Sequence, residues 1–99
     1  MDVKIQSVHF DADHKLLDYI QRKLEKLSTF SDRIVTVNVF LKLDNVVHAI
    51  KDKIAEIRVH IPRHSFFVKS TTKSFEESFD DAFDSLVVQI KKNKERKAA

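Results

Sequence analysis

Between Arg33 and Leu43 the chain reads RIVTVNVFLKL, with Val35, Val37, Val39 and Leu41 on one face of an extended strand and Thr36, Asn38, Phe40 and Lys42 on the other. A period of two over this length predicts a strand buried on one side only. The stretch KIAEIRVHI, Lys53 to Ile61, repeats the pattern with Ala55, Ile57, Val59 and Ile61 inward and Glu56, Arg58 and His60 outward. SFFVKST, Ser65 to Thr71, follows Pro62 as a shorter repetition, and VKIQSV, Val3 to Val8, supplies a β-branched first strand.

Two other stretches carry the helical period. Leu16, Leu17, Ile20, Leu24 and Leu27 form one stripe over His14 to Ser28, behind Asp13 as N-cap. Phe75, Phe79, Ala82, Phe83, Leu86 and Ile90 form a second, behind Ser74. The order is β-α-β-β-β-α. Strands that are apolar on one face need cover on that face alone, so the expected fold is α+β, a four-stranded sheet with two helices packed on one face.

Composition narrows the class. Ninety-nine residues, 42% hydrophobic with eight Phe, suit one packed domain over residues 1–99, with residues from about 95 expected to fray. With no Gly, the turns fall to Asp, Asn, Ser and Pro62. The absence of Cys excludes disulfides, thiolate metal sites and a thiol nucleophile, and suits the cytoplasm. No signal peptide and no long apolar run is present, so no membrane partner is expected.

Candidate chemistry is sparse. A chain without Gly cannot build a glycine-rich phosphate cradle, and no nucleophile elbow or acid/base motif surrounds its Ser and carboxylates. Neither an enzyme, a cofactor nor a small-molecule substrate is expected. His60 and His64 have a ligand-like spacing, but Pro62 lies between them at a strand end, which argues against a metal.

Charge changes the picture more. The net charge is +3, yet Lys91, Lys92, Lys94, Arg96 and Lys97 face only Glu95, leaving the rest of the chain slightly negative. The last helix begins with Glu76, Glu77, Asp80, Asp81 and Asp84, an order that complements the helix dipole. That effect fades within about one turn, whereas the cations continue past Ile90, the last core position. On the first helix Lys15, Arg22 and Lys26 align within roughly 20°, flanked by Lys23 and Tyr19. This row also fits a solvated face with intrahelical pairs such as Asp18 to Arg22.

Two basic clusters on helices of one sheet face suit phosphate binding with strong salt dependence. RNA is favoured over duplex DNA, because nothing reads as a helix-turn-helix. A module for another structured RNA, or a protein-interaction domain with a solubilising basic tail, remains open at this point.

Three blocks carry a resemblance over nearly the whole chain: DADHKLLDYIQRKLEKLSTFSDRI, VVHA after LKLDN, and FDSLVVQIKKNKERK. In this order and spacing the chain resembles the ribosome hibernation promoting factor family, also called ribosome-associated inhibitor, protein Y or sigma-54 modulation protein. The resemblance implies a short form, without the dimerisation domain of long members, and a monomer off the ribosome. It implies binding in the decoding region of the small ribosomal subunit, in the whole ribosome as well, chiefly to ribosomal RNA. There it would occlude mRNA and the A- and P-site tRNAs, inhibiting translation and stabilising idle ribosomes in stress or stationary phase. The RNA contacts it implies are Lys23, Lys26, Arg33, Gln89, Lys92, Lys94 and Arg96; charge geometry adds Lys15, Arg22, Lys91 and Lys97. The chain departs from the family pattern at Ser85 and Val88, at Phe75-Glu76, and in PRHSFFVKSTTKS, which replaces a glycine-containing turn and an acidic strand.

Overall fold

A computed structural model describes residues 1–44 and 52–98. Its elements are β1 (Asp2–Val8), α1 (His14–Glu25), a 3₁₀ turn (Lys26–Thr29), β2 (Thr36–Asp44), β3 (Asp52–Ile61), β4 (His64–Thr72) and α2 (Phe75–Ala98). The β-α-β-β-β-α order is as expected; the VVHA block lies outside the described residues. The sheet runs β1-β2-β3-β4, with β1 parallel to β2 and the other pairs antiparallel. A parallel pair needs a crossover, and α1 supplies it.

The alternating strands put Val37, Val39 and Leu41, then Ala55, Ile57, Val59 and Ile61, then Phe66 and Val68 on one buried face. Against it lie Leu16, Ile20 and Leu24 of α1 and the Phe75-to-Ile90 stripe of α2. Each such side chain contributes on the order of 1.5–3 kcal/mol by leaving water. Phe79 is fully buried, edge-on to Tyr19 and tilted against Phe83.

Both predicted caps form. The Asp13 carboxylate accepts from the Leu16 amide at 2.8 Å, and the Ser74 hydroxyl accepts from the Glu77 amide at 3.1 Å. Ser78, completely buried one turn into α2, ties three elements together. Its hydroxyl donates to the Lys53 carbonyl at 2.6 Å and accepts from the Thr72 amide at 2.9 Å, so β3, β4 and α2 meet at one atom.

Three expectations change in detail. The first helix tightens into a 3₁₀ turn from Lys26, with the Ser28 and Thr29 hydroxyls bonding back to the Glu25 and Lys26 carbonyls. Regular β2 starts at Thr36, not Arg33: Val35 still bonds Asp2 and His60 through its backbone, but its side chain is 47% exposed while Ile34 fills the core. Glu56 is on the outer face as expected yet only 7% exposed, because Lys42 on β2 covers it in a 3.1 Å ion pair.

The β3–β4 hairpin turns on Pro62 and Arg63, between the paired residues Ile61 and His64. Pro62 suits the first corner of such a turn, and Arg63 takes φ 70° at the second, where glycine is usual. In a chain without glycine, an arginine holds this left-handed position at a cost of about 1–2 kcal/mol.

Candidate nucleic-acid interface

Lys15, Arg22 and Lys26 stand exposed along the solvent side of α1 and its 3₁₀ extension. The buried stripe of α1 is Leu16, Ile20, Leu24 and then Leu27, with Leu17 only half-buried. The five-residue stripe of the sequence thus narrows to four, centred away from Leu17. The shift turns Tyr19 and Lys23 toward α2 and away from the basic row.

Lys23 is accordingly engaged. Its ammonium lies 2.6 Å from Asp80 Oδ1 on α2, and 5.7 and 5.3 Å from the ring centres of Tyr19 and Phe83. The Tyr19 hydroxyl donates to the same Asp80 oxygen. Burial disfavours the Lys23 charge, but the hydrogen bond and charge of Asp80 outweigh it and hold the ammonium above its ordinary range. Burial also disfavours the Asp80 carboxylate, but hydrogen bonds from Lys23 and Tyr19 prevail and hold it below the usual carboxylate range. Tyr19, hydrogen-bonded to Asp80, is pushed up, with burial adding to the shift.

Arg33 is exposed in the segment entering β2, its amide donating to the buried Ser31 hydroxyl at 3.2 Å. Nearby, the Lys91 ammonium of α2 lies 5.3 Å from the ring centre of Phe30. Phe30 follows the 3₁₀ turn directly, so Lys91 joins the Lys26–Arg33 end of the first basic cluster.

The rest of the α2 run divides around the helix. Ile90 is buried, and helical continuation to Ala98 carries Lys91, Lys92, Lys94 and Arg96 out beyond it, all exposed; Lys97 lies in the final turn. At about 100° per residue, Gln89, Lys92, Asn93 and Arg96 share one flank and Lys91 another. The first flank lines a notch of about 180 Å³ with His64 and Phe66 of β4. Sequence reasoning overlooked His64 as a neighbour of this cluster because only the hairpin register brings the start of β4 under the end of α2. Ser85 and the half-exposed Val88 stand on the outer side of α2.

His60 and His64 do not converge. Strand pairing places His60 on the outer sheet face, bonded to Ser65 at 3.0 Å, whereas His64 has the inward parity of Phe66 and meets its ring edge-on. Among the described residues no group of three metal-ligating side chains occurs, and no helix is long and apolar enough to cross a membrane.

Residues 3–98 match the family described as sigma 54 modulation protein / S30EA ribosomal protein. A ribosomal subunit interface protein from Coxiella burnetii is similar in fold, with a TM-score of 0.84 at 17% identity over 95% of this chain and 98% of that one. The N-terminal domain of Thermus thermophilus Protein Y is similar at 26% identity and a TM-score of 0.78, over 93% and 98% of the two chains. No curated protein matches the sequence.

Proposed function

Because the chain belongs to the sigma 54 modulation protein / S30EA ribosomal protein family, whose members are ribosome-associated rather than enzymes, we propose that it is a ribosome hibernation factor. It binds the decoding region of the small subunit, as a monomer in the cytoplasm, and excludes mRNA and the A- and P-site tRNAs by occupancy. The observation that carries this reading is the extension of α2 past its last core residue with Lys91, Lys92, Lys94 and Arg96 all exposed. Core packing gives no reason for that overhang, whereas an RNA backbone does: each cation that meets a phosphate releases condensed counterions.

Two contact regions follow. Lys15, Arg22, Lys26, Arg33 and Lys91 form one, running from α1 to the entry of β2. Gln89, Lys92 and Arg96 form the other, beside His64, and Lys94 and Lys97 extend the helix end. Lys23 contributes by fixing α1 against α2, which sets the spacing of the two regions.

Sedimentation with small subunits, large subunits and whole ribosomes, with and without tRNA and mRNA, tests the proposal. Pelleting with vacant small subunits and whole ribosomes, diminished by tRNA and mRNA, is expected. Absence of pelleting with either rejects ribosome binding, and pelleting indifferent to tRNA and mRNA rejects the decoding region as the site.

A further inference from the structure

The outer face of the sheet is uncovered among the described residues. The register lays its side chains out in rows across the strands: Lys4, Asn38, Arg58 and Phe67 in one, Gln6, Phe40, Glu56 and Lys69 in the next. Two of these are aromatic on a surface facing solvent, and Phe67 is 48% exposed. The exposed Arg58 guanidinium sits between them, 5.7 Å from the ring centre of Phe40 and 5.2 Å from that of Phe67. Phe40, Arg58 and Phe67 thus form one continuous strip across β2, β3 and β4.

Beside the strip is a depression of about 400 Å³, walled by Arg58 and Phe67 and edged by Thr36, Asn38, His60 and Ser65. That volume is in the range of small-ligand sites, and the edge is a set of hydrogen-bonding groups around an aromatic wall. Charge selects the ligand further. Lys4, Arg58 and Lys69 stand outward, Lys42 and Glu56 neutralise each other, and Asp2, Asp44 and Asp52 hold register positions at the strand ends. An aromatic ring wall, amide and hydroxyl groups at its edge, and Arg58 and Lys4 in the row beside it match a nucleotide with its base stacked and its phosphate outward.

We propose that the open sheet face is a second nucleic-acid site that holds single-stranded RNA, one base stacked on Phe67 with its edge toward Asn38 and its phosphate toward Arg58. This goes beyond the helix-borne ribosome contacts and does not depend on them. A duplex is excluded by its own pairing, since its bases cannot be splayed onto a ring. An acidic protein segment would suit the cations but would leave the aromatic strip and the hydrogen-bonding edge without a complement.

The chain has no Trp, so Phe67→Trp installs a single fluorophore at the stacking position. Titrated with a single-stranded RNA hexamer at low salt, its emission is expected to quench saturably. Much weaker quenching is expected from a short RNA duplex of equal charge or from free mononucleotides. Adding Arg58→Ala, which removes the phosphate contact and one wall of the depression, should weaken the hexamer by about tenfold. The Lys92/Lys94/Arg96→Ala background should retain the quench. Absence of quenching, equal quenching by duplex, or loss in the tail background without loss in Arg58→Ala overturns the proposal. Phe67 is half exposed, so Phe67→Ala is expected to fold, to lose hexamer binding in fluorescence anisotropy and to pellet with ribosomes as before. Hexamer binding unchanged in Phe67→Ala likewise overturns the proposal, whereas a failure of the unsubstituted chain to pellet with ribosomes rejects only the hibernation reading.

Discussion

Lys23 of α1 meets Asp80 of α2 at 2.6 Å, in a cleft whose walls are the rings of Tyr19 and Phe83. Fifty-seven residues apart in sequence, the two bridge α1 and α2 beside the Tyr19–Asp80 hydrogen bond. The pair is about one quarter to one third exposed, so its Coulombic worth is that of a partly solvated bridge. The Lys23 stem also covers aromatic surface. Lys23→Ala should therefore lose about 1 kcal/mol in urea unfolding, against no more than about 0.5 kcal/mol for the exposed Lys26→Ala. A double-mutant cycle with Asp80→Ala should give a coupling of about 0.5–1 kcal/mol. No coupling, with equal losses at Lys23 and Lys26, would return Lys23 to the exposed basic row.

The same triad makes stability depend on pH in a defined direction. The folded Asp80 carboxyl is held below its ordinary range, so its contribution is present above the unfolded pKa of about 4 and is lost as pH falls through the depressed folded value. Lys23 and Tyr19 are raised, so theirs is present below about 10 and is lost as pH rises through the folded values. The stability difference between the unsubstituted chain and Asp80→Asn should hold level from about pH 5 to about pH 9 and shrink on both sides. A difference that grows toward acid would contradict the assigned shift.

Ser78 offers a sharper test of how α2 is seated. Its hydroxyl is the partner of both the Lys53 carbonyl and the Thr72 amide, and it has no exposed surface. Removing it strands polar groups in a dry site, which costs about 1–3 kcal/mol. Thermal unfolding of Ser78→Ala should show a loss in that range. A loss below about 0.5 kcal/mol would mean that other groups satisfy the strand ends.

Much of this fold is readable from the chain because its two periods do not compete: Val37, Val39 and Leu41 alternate, while Phe75, Phe79, Phe83 and Leu86 recur at helical intervals. Where the reading drifted, tertiary geometry decided. The burial of Glu56 depends on Lys42, fourteen residues away on a neighbouring strand. Lys23 points at Asp80 because Leu16, Ile20 and Leu24 set the rotation of α1, and periodicity alone could not rank them above Leu17. His64 joins the end of α2 through the hairpin register, and the Phe40–Arg58–Phe67 strip crosses three strands. Neither has any signature at fixed sequence spacing. The α2 overhang, by contrast, was legible as a charge run outlasting the apolar stripe.

That overhang can be separated from the fold by experiment. Lys92, Lys94 and Arg96 are exposed beyond Ile90, where truncation removes little buried surface. The triple variant to Ala should keep its stability within about 0.5 kcal/mol per site, helped by the high helix propensity of alanine. Ribosome binding should weaken by orders of magnitude at moderate salt. The slope of log affinity against log salt should also fall by about 0.7–0.9 for each phosphate contact removed. A structural tail predicts the reverse pairing, with lowered stability and an unchanged salt slope. Measuring both on the same protein decides between them, because a partial unfolding that weakens binding would leave its mark on the melting curve, whereas a lost phosphate contact lowers affinity and salt slope and leaves the melting curve where it was.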